Sequence, residues 1–468
     1  MAQKKHSNHV DTATVDVQRE EDELRENQPI FGSGATVTRD PSRWWVLFLT
    51  SMMGILNNFL WATWGPISQS ALLVYGWSEG TLFWVTNVGN IAGLLLAPLG
   101  IYLVDIKGIR ISLLVGMGAM AIAAGTRVIT LDHTIATILI AVGQGFNGFV
   151  TAISQCLPPV VSNTWFGVSE RTTVTAAGCL SFGLGAGLAF LFGPLTVNMP
   201  KMNGTEILVN QTDVNKIESQ MKTFNYMTFG FAAFLVVCTI IYSPAKPKFP
   251  PSKSANAERL SLKKGALRLM RNPFIWLISG VYSLPMGFYG NWASFLDAIL
   301  TPFGIKQSEA GWMNFSAMIG GVVVGTIIGR FADLFKRKLK LILIVLNLLI
   351  VTNFAWFTCM AVDFVPRSKG LFFVSVVLGG ILTSSTGPLF YEISCDTAYP
   401  AGEGLIVGFL GIGVNLGASV FLGIDQTFTG DTAWTNWALV GVYLLAVPLL
   451  FMFREKYTRL DIDIEVKV

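Results

Sequence analysis

The run Asn57-Asn58-Phe59-Leu60-Trp61-Ala62-Thr63-Trp64-Gly65-Pro66 sets two adjacent amides, two tryptophans and a Gly-Pro pair inside an apolar stretch. Polar side chains at membrane depth face a protein interior or a water-filled path, so the cluster marks a candidate binding surface. Pro66 predicts a break in the helix, with freed carbonyls that need other partners. Trp61 lies 17 residues past Trp44, and Tyr289 lies 16 past Pro273. Both rings therefore sit on the order of 24 Å along their helices at ~1.5 Å per residue. Two aromatics at matching depth can enclose a cation, or stack on a flat heteroaromatic ring, for roughly 0.5–2 kcal/mol each. The plainer reading is packing, with Trp64 an interfacial anchor like Trp44 and Trp45 and the amides as interhelical glue.

Further amides fall at similar depth. Asn415 is 12 residues past Glu403, and Gln144 and Asn147 are one turn apart on one helical face. An amide both donates and accepts, which suits a hydroxyl-rich small molecule, although interhelical hydrogen bonding would use the same groups. Ionisable side chains in apolar surroundings are few. Asp297 lies near one end of its span, Glu392 and Asp396 near the end of another, and Arg171 at the start of a third. A carboxylate in an apolar cavity holds its proton more tightly, so it can load in an acidic compartment and release to a neutral one. Asp297 is the first candidate for proton coupling and Glu392 the second, with a gate salt bridge as the alternative for Glu392. Nothing in the pattern requires coupling, and uniport stays open.

The elements that must position these residues are membrane helices. The chain has 468 residues, 52% hydrophobic and 13% charged, with a mean hydropathy of +0.55. Apolar runs of ~20 residues, enough to cross ~30 Å of hydrocarbon, recur from Trp44 to Phe453. The five cysteines form no CxxC, and His6 and His9 lie in the polar amino-terminal tail. No metal site or cofactor is expected, and without an HExxH, Walker or GxSxG pattern neither is an enzyme. Lys and Arg are dispersed among short loops, which fits membrane topology and not a nucleic-acid face. The expected fold is an all-α membrane protein of twelve transmembrane helices in two six-helix halves. The expected divisions are a disordered cytosolic tail (1–43), the first half (44–243), a basic linker (244–272), the second half (273–453) and a carboxyl-terminal tail (454–468).

With the amino terminus cytosolic, 26 of the 33 Lys and Arg fall on the cytosolic side and 6 on the other. The positive-inside rule then places the sequons at Asn203 and Asn210 on the non-cytosolic side, where glycosylation occurs. The two halves share a loop after their second helix. The first copy carries Asp105 and Arg110 and the second Asp333 and Arg337. A carboxylate beside cations at a helix end can latch the cytosolic face through charge pairs and a helix amino terminus, with Arg171 nearby.

This repeated loop resembles the signature loop of the major facilitator superfamily, whose two six-helix halves rock about a central site. The first copy departs from that pattern in having Ile101 where the family has Gly. Gly321, Gly325 and Gly329, and likewise Gly183 and Gly187, permit close helix approach between the halves. Asn57-Asn58-Phe59-Leu60-Trp61, Thr164-Trp165-Phe166-Gly167-Val168-Ser169-Glu170, and Tyr391-Glu392 with Tyr399-Pro400-Ala401-Gly402-Glu403-Gly404 are similar to the feline leukaemia virus receptor-related family, solute carrier family 49. The blocks from Asn58 to Ala71, Phe331-Ala332-Asp333 with Leu339–Leu343, and Phe453 to Val468 resemble a lysosomal branch of it, associated with pyridoxine.

The resemblance implies a secondary transporter of a small organic metabolite. Pyridoxine export from the lysosome is the first expectation and facilitative choline or ethanolamine transport the second. Haem is less suited, because the spans place no His for an axial bond. It also implies an aromatic cage of Trp61 and Tyr289 and a polar contact at Asn415. Thr151 stands where choline members are expected to have glutamine, which weakens the choline reading. Glu26-Asn27-Gln28-Pro29-Ile30-Phe31 resembles an acidic dileucine sorting signal with Ile30-Phe31 for Leu-Leu, a motif that sorting adaptors read. The expected state is a monomer in the lysosomal membrane, with the plasma membrane as the alternative. A receptor or scaffold that only borrows the fold would instead fill its centre with apolar side chains.

Overall fold

The computed structural model describes residues 40–461 apart from 199, 201, 204–205, 208–210, 248–259, 295, 306, 335–336, 426–432, 456 and 460. Glu26, Ile30, Phe31 and Asn210 lie outside the described residues, and so do the side chains of Asn203, Asp297 and Asp333.

Helix α1 (Ser42–Ala62) ends four residues before Pro66, whose ring would meet the Ala62 carbonyl if the helix continued. Short α2 (Ser68–Tyr75) closes on Gly76, in the left-handed region at φ 63°. Ser78 caps α3 (Glu79–Tyr102), which runs into a π-turn at Leu103–Lys107 and stops at Gly108, φ 83°. Then come α4 (Ile109–Gly125), α5 (His133–Trp165, capped by Asp132) and α6 (Arg171–Thr196). A two-residue antiparallel pair, β1 (Met202–Asn203) with β2 (Glu206–Ile207), precedes α7 (Gln211–Ile241).

Amphipathic α8 (Leu262–Arg271) leads into the second half: α9 (Pro273–Ser294), α10 (Leu296–Leu300), α11 (Gln307–Leu334), α12 (Leu339–Ala361), α13 (Lys369–Ala398), α14 (Glu403–Asp425) and α15 (Ala433–Met452). Among the described residues eleven helices are long and apolar enough to cross a bilayer. Helix α9, at 22 residues, has the length of a twelfth, but its Ser, Gly, Pro, Tyr and Asn make it less apolar than those eleven. Successive spans alternate direction, so Ser42, α8 and Met452 share one end of the bundle, here the terminal face.

The halves meet through α6 with α11, and through α14 with α3 and α5. A Cβ at Gly329 would lie 2.9 Å from that of Ala176, and one at Gly325 would lie 2.8 Å from Leu180, so glycine brings α6 and α11 together. Gly321 does not belong to that seam: it faces Ser384 on α13 of its own half. Ile101 packs into the space that Gly408 leaves on α14, so the bulky residue in the first signature loop is matched by a small one opposite.

Candidate functional site

The break after α1 is held by Arg127. Its Nη2 donates to the Leu60 carbonyl at 2.8 Å and its Nη1 to Thr63 Oγ1 at 3.3 Å, while Thr63 Oγ1 donates to the Phe59 carbonyl. The guanidinium also lies 4.8 Å from the Trp64 ring centroid. Trp64, only 1% exposed, is enclosed by Arg127, Tyr75 and Trp77. In this arrangement it packs within that cluster, and its Nε1 has no hydrogen-bond partner among the described residues. Arg127 was missed, and its position as a lone cation beside an apolar span was the available signal.

Asn57 and Asn147, expected at the same site, bond to each other. Asn57 Nδ2 donates to the Asn147 carbonyl and Oδ1 at 3.0 and 2.9 Å, and Asn147 Nδ2 donates back to the Asn57 carbonyl. Thr151 and Ser154 hydroxyls donate to Asn57 Oδ1. Both amides are buried and clamp α1 to α5, and on Asn57 both the amide nitrogen and the amide oxygen are fully engaged.

The remaining polar and aromatic candidates keep free surface or free valence. Trp61 and Asn58 are half-buried on α1, and among the described residues Asn58 makes one long bond, 3.4 Å, to the Gly54 carbonyl of its own helix. The Trp61 ring and the Gln144 carbonyl both lie 3.2 Å from where a Cβ would stand at Gly89, so glycine lets α1, α3 and α5 converge there. Gln144 is 1% exposed, and its Oε1 has no hydrogen-bond partner among the described residues. On the other half Tyr289 is half-buried, stacks on Trp292 and lies against Phe354. Its hydroxyl sits 2.8 Å from a Cβ position at Gly380. Among the described residues no ring contact joins Trp61 to Tyr289, and α1 and α9 share no extended packing. Asn415, also half-buried, donates to the Gly411 carbonyl at 3.1 Å. Gln155 Oε1, on α5 of the other half, lies 2.6 Å from a Cβ position at that same Gly411. Gln155 was missed; it stands one turn along α5 from Thr151, where a polar residue was sought.

The terminal face is closed by a different set. Asp105 accepts from the backbone of Gly404 at 2.9 Å and of Leu405 at 2.7 Å, so its carboxylate caps α14 across the halves. Its partner is the helix amino terminus and not Arg110, which is exposed. Arg337, expected in a latch of the cytosolic face, pairs with Asp461 of its own half at 2.6 Å. Arg330 instead donates to the Ser169 carbonyl opposite.

Arg459, 2% exposed, reaches up from the carboxyl-terminal segment. It pairs with Glu392 and, at 2.8 Å, with Asp396, while Glu403 lies 3.8 Å away. Thr175 of the first half donates to Glu392 at 2.6 Å. Burial works against the Arg459 charge, but Asp396 and Glu392 outweigh it and hold the guanidinium protonated above its ordinary range. Glu392, read from the sequence as a proton carrier or a gate salt bridge, is engaged here in an ion pair with Arg459. Arg171 is buried beside this cluster. Sequence reasoning missed Arg459, although three carboxylates with no Lys or Arg between residues 392 and 403 were the sign that a cation comes from elsewhere.

Residues 45–302 and 289–463 match the Major Facilitator Superfamily. The solute carrier family 49 member 4 homolog of Xenopus tropicalis is 35% identical over 431 residues, covering 91% of this chain and 94% of its own. The chain belongs to solute carrier family 49 of the major facilitator superfamily. The choline/ethanolamine transporter FLVCR1 of Felis catus is 26% identical over 86% of this chain and 72% of its own. Among solved structures, the outward conformation of FucP superposes with TM-score 0.64 at 12% identity, covering 88% of this chain and 100% of that one. The proton:xylose symporter XylE gives 0.67, also at 12%, over 90% and 98%. This solute carrier family 49 chain is therefore a multi-pass membrane transporter for a small molecule, with its halves joined at the terminal face.

Proposed function

We infer that the protein exports pyridoxine from the lysosome by alternating access, with its terminal face in the cytosol. The observation that carries the reading is the set of under-used groups at matching depth in the two halves: Trp61, Asn58 and Gln144 in the first, Tyr289 and Asn415 in the second, with Gln155 at their seam. A flat, hydroxyl-bearing pyridine ring suits aromatic faces flanked by amides. Asn57, Asn147 and Trp64 hold that wall in place behind it. The cytosolic orientation rests on the charge asymmetry of the loops, and the compartment on the resemblance and on the tail motif at Glu26, Ile30 and Phe31. Adaptors would read that motif. Asp297 is the proposed proton carrier, Asn203 and Asn210 the luminal glycosylation sites, and Asp333 a partner of the cytosolic latch.

The choline/ethanolamine reading is supported by the FLVCR1 relatives, because the same aromatic pair would hold a quaternary or primary ammonium group. Proteoliposome uptake of labelled pyridoxine and choline, with and without an inward-acid gradient, separates the two. Gradient-dependent pyridoxine flux that disappears in Trp61→Ala supports the first reading. Choline flux indifferent to the gradient replaces it and removes Asp297 from the mechanism. If folded, monodisperse protein moves neither, the substrate assignment fails.

A further inference from the structure

Helix α8 is built differently from every span. Within Leu262–Arg271 it carries Lys263, Lys264, Arg268 and Arg271 and no acid. Gly265 and Leu269 are buried, with Leu262 and Ala266 partly so, which defines the side that rests on the protein. A Cβ at Gly265 would stand 3.0 Å from Leu405 and 3.8 Å from Ala401, so glycine seats α8 directly on the first turn of α14. Arg268 Nη2 and the Leu260 backbone bond to the Tyr399 and Pro400 carbonyls and tie both ends to the same corner.

At 100° per residue, the side turned away from the protein divides in two. Leu267 and Met270 share one flank and are 49% and 63% exposed. Lys264 and Arg271, both exposed, share the flank beyond them, with Lys263 between the two apolar residues. Immediately after the bend at Asn272, Trp276 is 52% exposed and its Nε1 donates to the Met270 carbonyl at 2.9 Å. An indole fixed beside an exposed Met at the start of a span marks the depth of the headgroup layer. An apolar flank at that depth, bordered by cations, is the pattern of a helix lying in the membrane surface.

We propose that α8 seats anionic lipid headgroups of the leaflet on the terminal face. Leu267 and Met270 enter the acyl boundary, and Lys263 and Arg271 hold the phosphates. Charge complementarity selects this occupant, because Lys263 and Arg271, exposed on the outward side, repel a basic surface and gain nothing from neutral lipid. The site goes beyond the transport reading and does not depend on which substrate is carried. It does have a consequence for it: Ala401 and Leu405, on which α8 rests, flank the backbone that Asp105 caps. Lipid held at α8 therefore steadies the closed gate.

The test uses the full-length chain purified in detergent and titrated with phosphatidylserine or phosphatidylcholine. Lipid retention is read by native mass spectrometry and the unfolding midpoint by light scattering. Wild type should retain phosphatidylserine in preference and unfold at a higher temperature with it. K263Q/R271Q should weaken that retention by roughly thirtyfold, whereas K246Q/K338Q, which removes two exposed cations elsewhere on the same face, should leave it intact. Equal loss in both double variants, or no lipid preference in wild type, overturns the proposal. L267S/M270S retaining phosphatidylserine as wild type does would also overturn it, since the apolar flank would then play no part.

Discussion

Asp105 Oδ2 lies 2.7 Å from the backbone nitrogen of Leu405, 300 residues away in sequence and on the opposite half of the molecule. With Oδ1 on the Gly404 nitrogen, one carboxylate satisfies two of the four orphan donors at the start of α14 and meets the positive end of its dipole. Capping residues of this kind are worth about 0.5–2 kcal/mol. Asp105→Ala should therefore shift the equilibrium away from the closed terminal face by roughly 2–30-fold, given that 1.4 kcal/mol is a factor of ten. Labelling of an introduced cysteine at Thr175 by a membrane-impermeant thiol reagent reads the change. An unchanged labelling rate would mean that the cap contributes nothing to closure. Gly404→Ala should act in the same direction, because its Cβ would run into the Asp105 carboxylate.

Arg459 sits among Glu392, Asp396 and Glu403, and its removal takes the paired guanidinium from Glu392 and Asp396, with Arg171 still close to Asp396. Breaking a buried pair by removing one partner costs about 3–5 kcal/mol. Arg459→Ala should lower the unfolding midpoint sharply, and Arg459→Lys should recover only part, since an ammonium cannot present Nε to one carboxylate and Nη2 to another. Adding Glu392→Gln to Arg459→Ala should restore some stability by deleting one of the stranded charges. If the double variant is no more stable than the single, the ion cluster is not what the segment is held by.

The two-half architecture was legible because apolar length, Pro66 and the paired Asp105 and Asp333 loops each follow from simple physical demands. The site was legible only in part. An amide in a membrane span reads the same whether it faces a cavity or another amide, so Asn57 and Asn147 could not be told from Asn415 until their partners were known. Trp64 was ambiguous for a similar reason: the Arg127 that covers it lies in the turn after α4, and no periodicity links the two. The Arg459 cluster joins α13, the start of α14 and the tail, and such a three-part contact leaves no local pattern beyond its unbalanced charges.

That difference between wall and lining has its own consequence. Asn57→Ala takes from the buried Asn147 Oδ1 the donor it accepts from, and an unmet polar group in such a setting costs about 1–3 kcal/mol. The substitution should lower the unfolding midpoint, while the protein that remains folded binds substrate with little change. Gln144→Ala removes an oxygen with no hydrogen-bond partner among the described residues, so it should leave the midpoint near wild type and weaken binding. Scintillation proximity binding and thermal unfolding, run side by side, separate the two. Reversed outcomes would exchange the roles of the two residues.

The glycine seam between α6 and α11 sets the last expectation. At Gly329 a side chain meets Ala176 Cβ at 2.9 Å and the Thr172 carbonyl at 3.3 Å, contacts that backbone and a methyl on the facing helix cannot yield. Overpacking a fitted interface costs typically ~1–3 kcal/mol, and here the penalty falls on the arrangement in which the halves touch at the terminal face. Gly329→Val should therefore favour separation of that face, as Asp105→Ala does, and raise labelling at Thr175. Gly321→Val provides the contrast. Its Cβ would press on Ser384 within the same half, so it should reduce stability of the second half without raising that labelling. Equal labelling in both variants would show that the seam does not report on how the halves close.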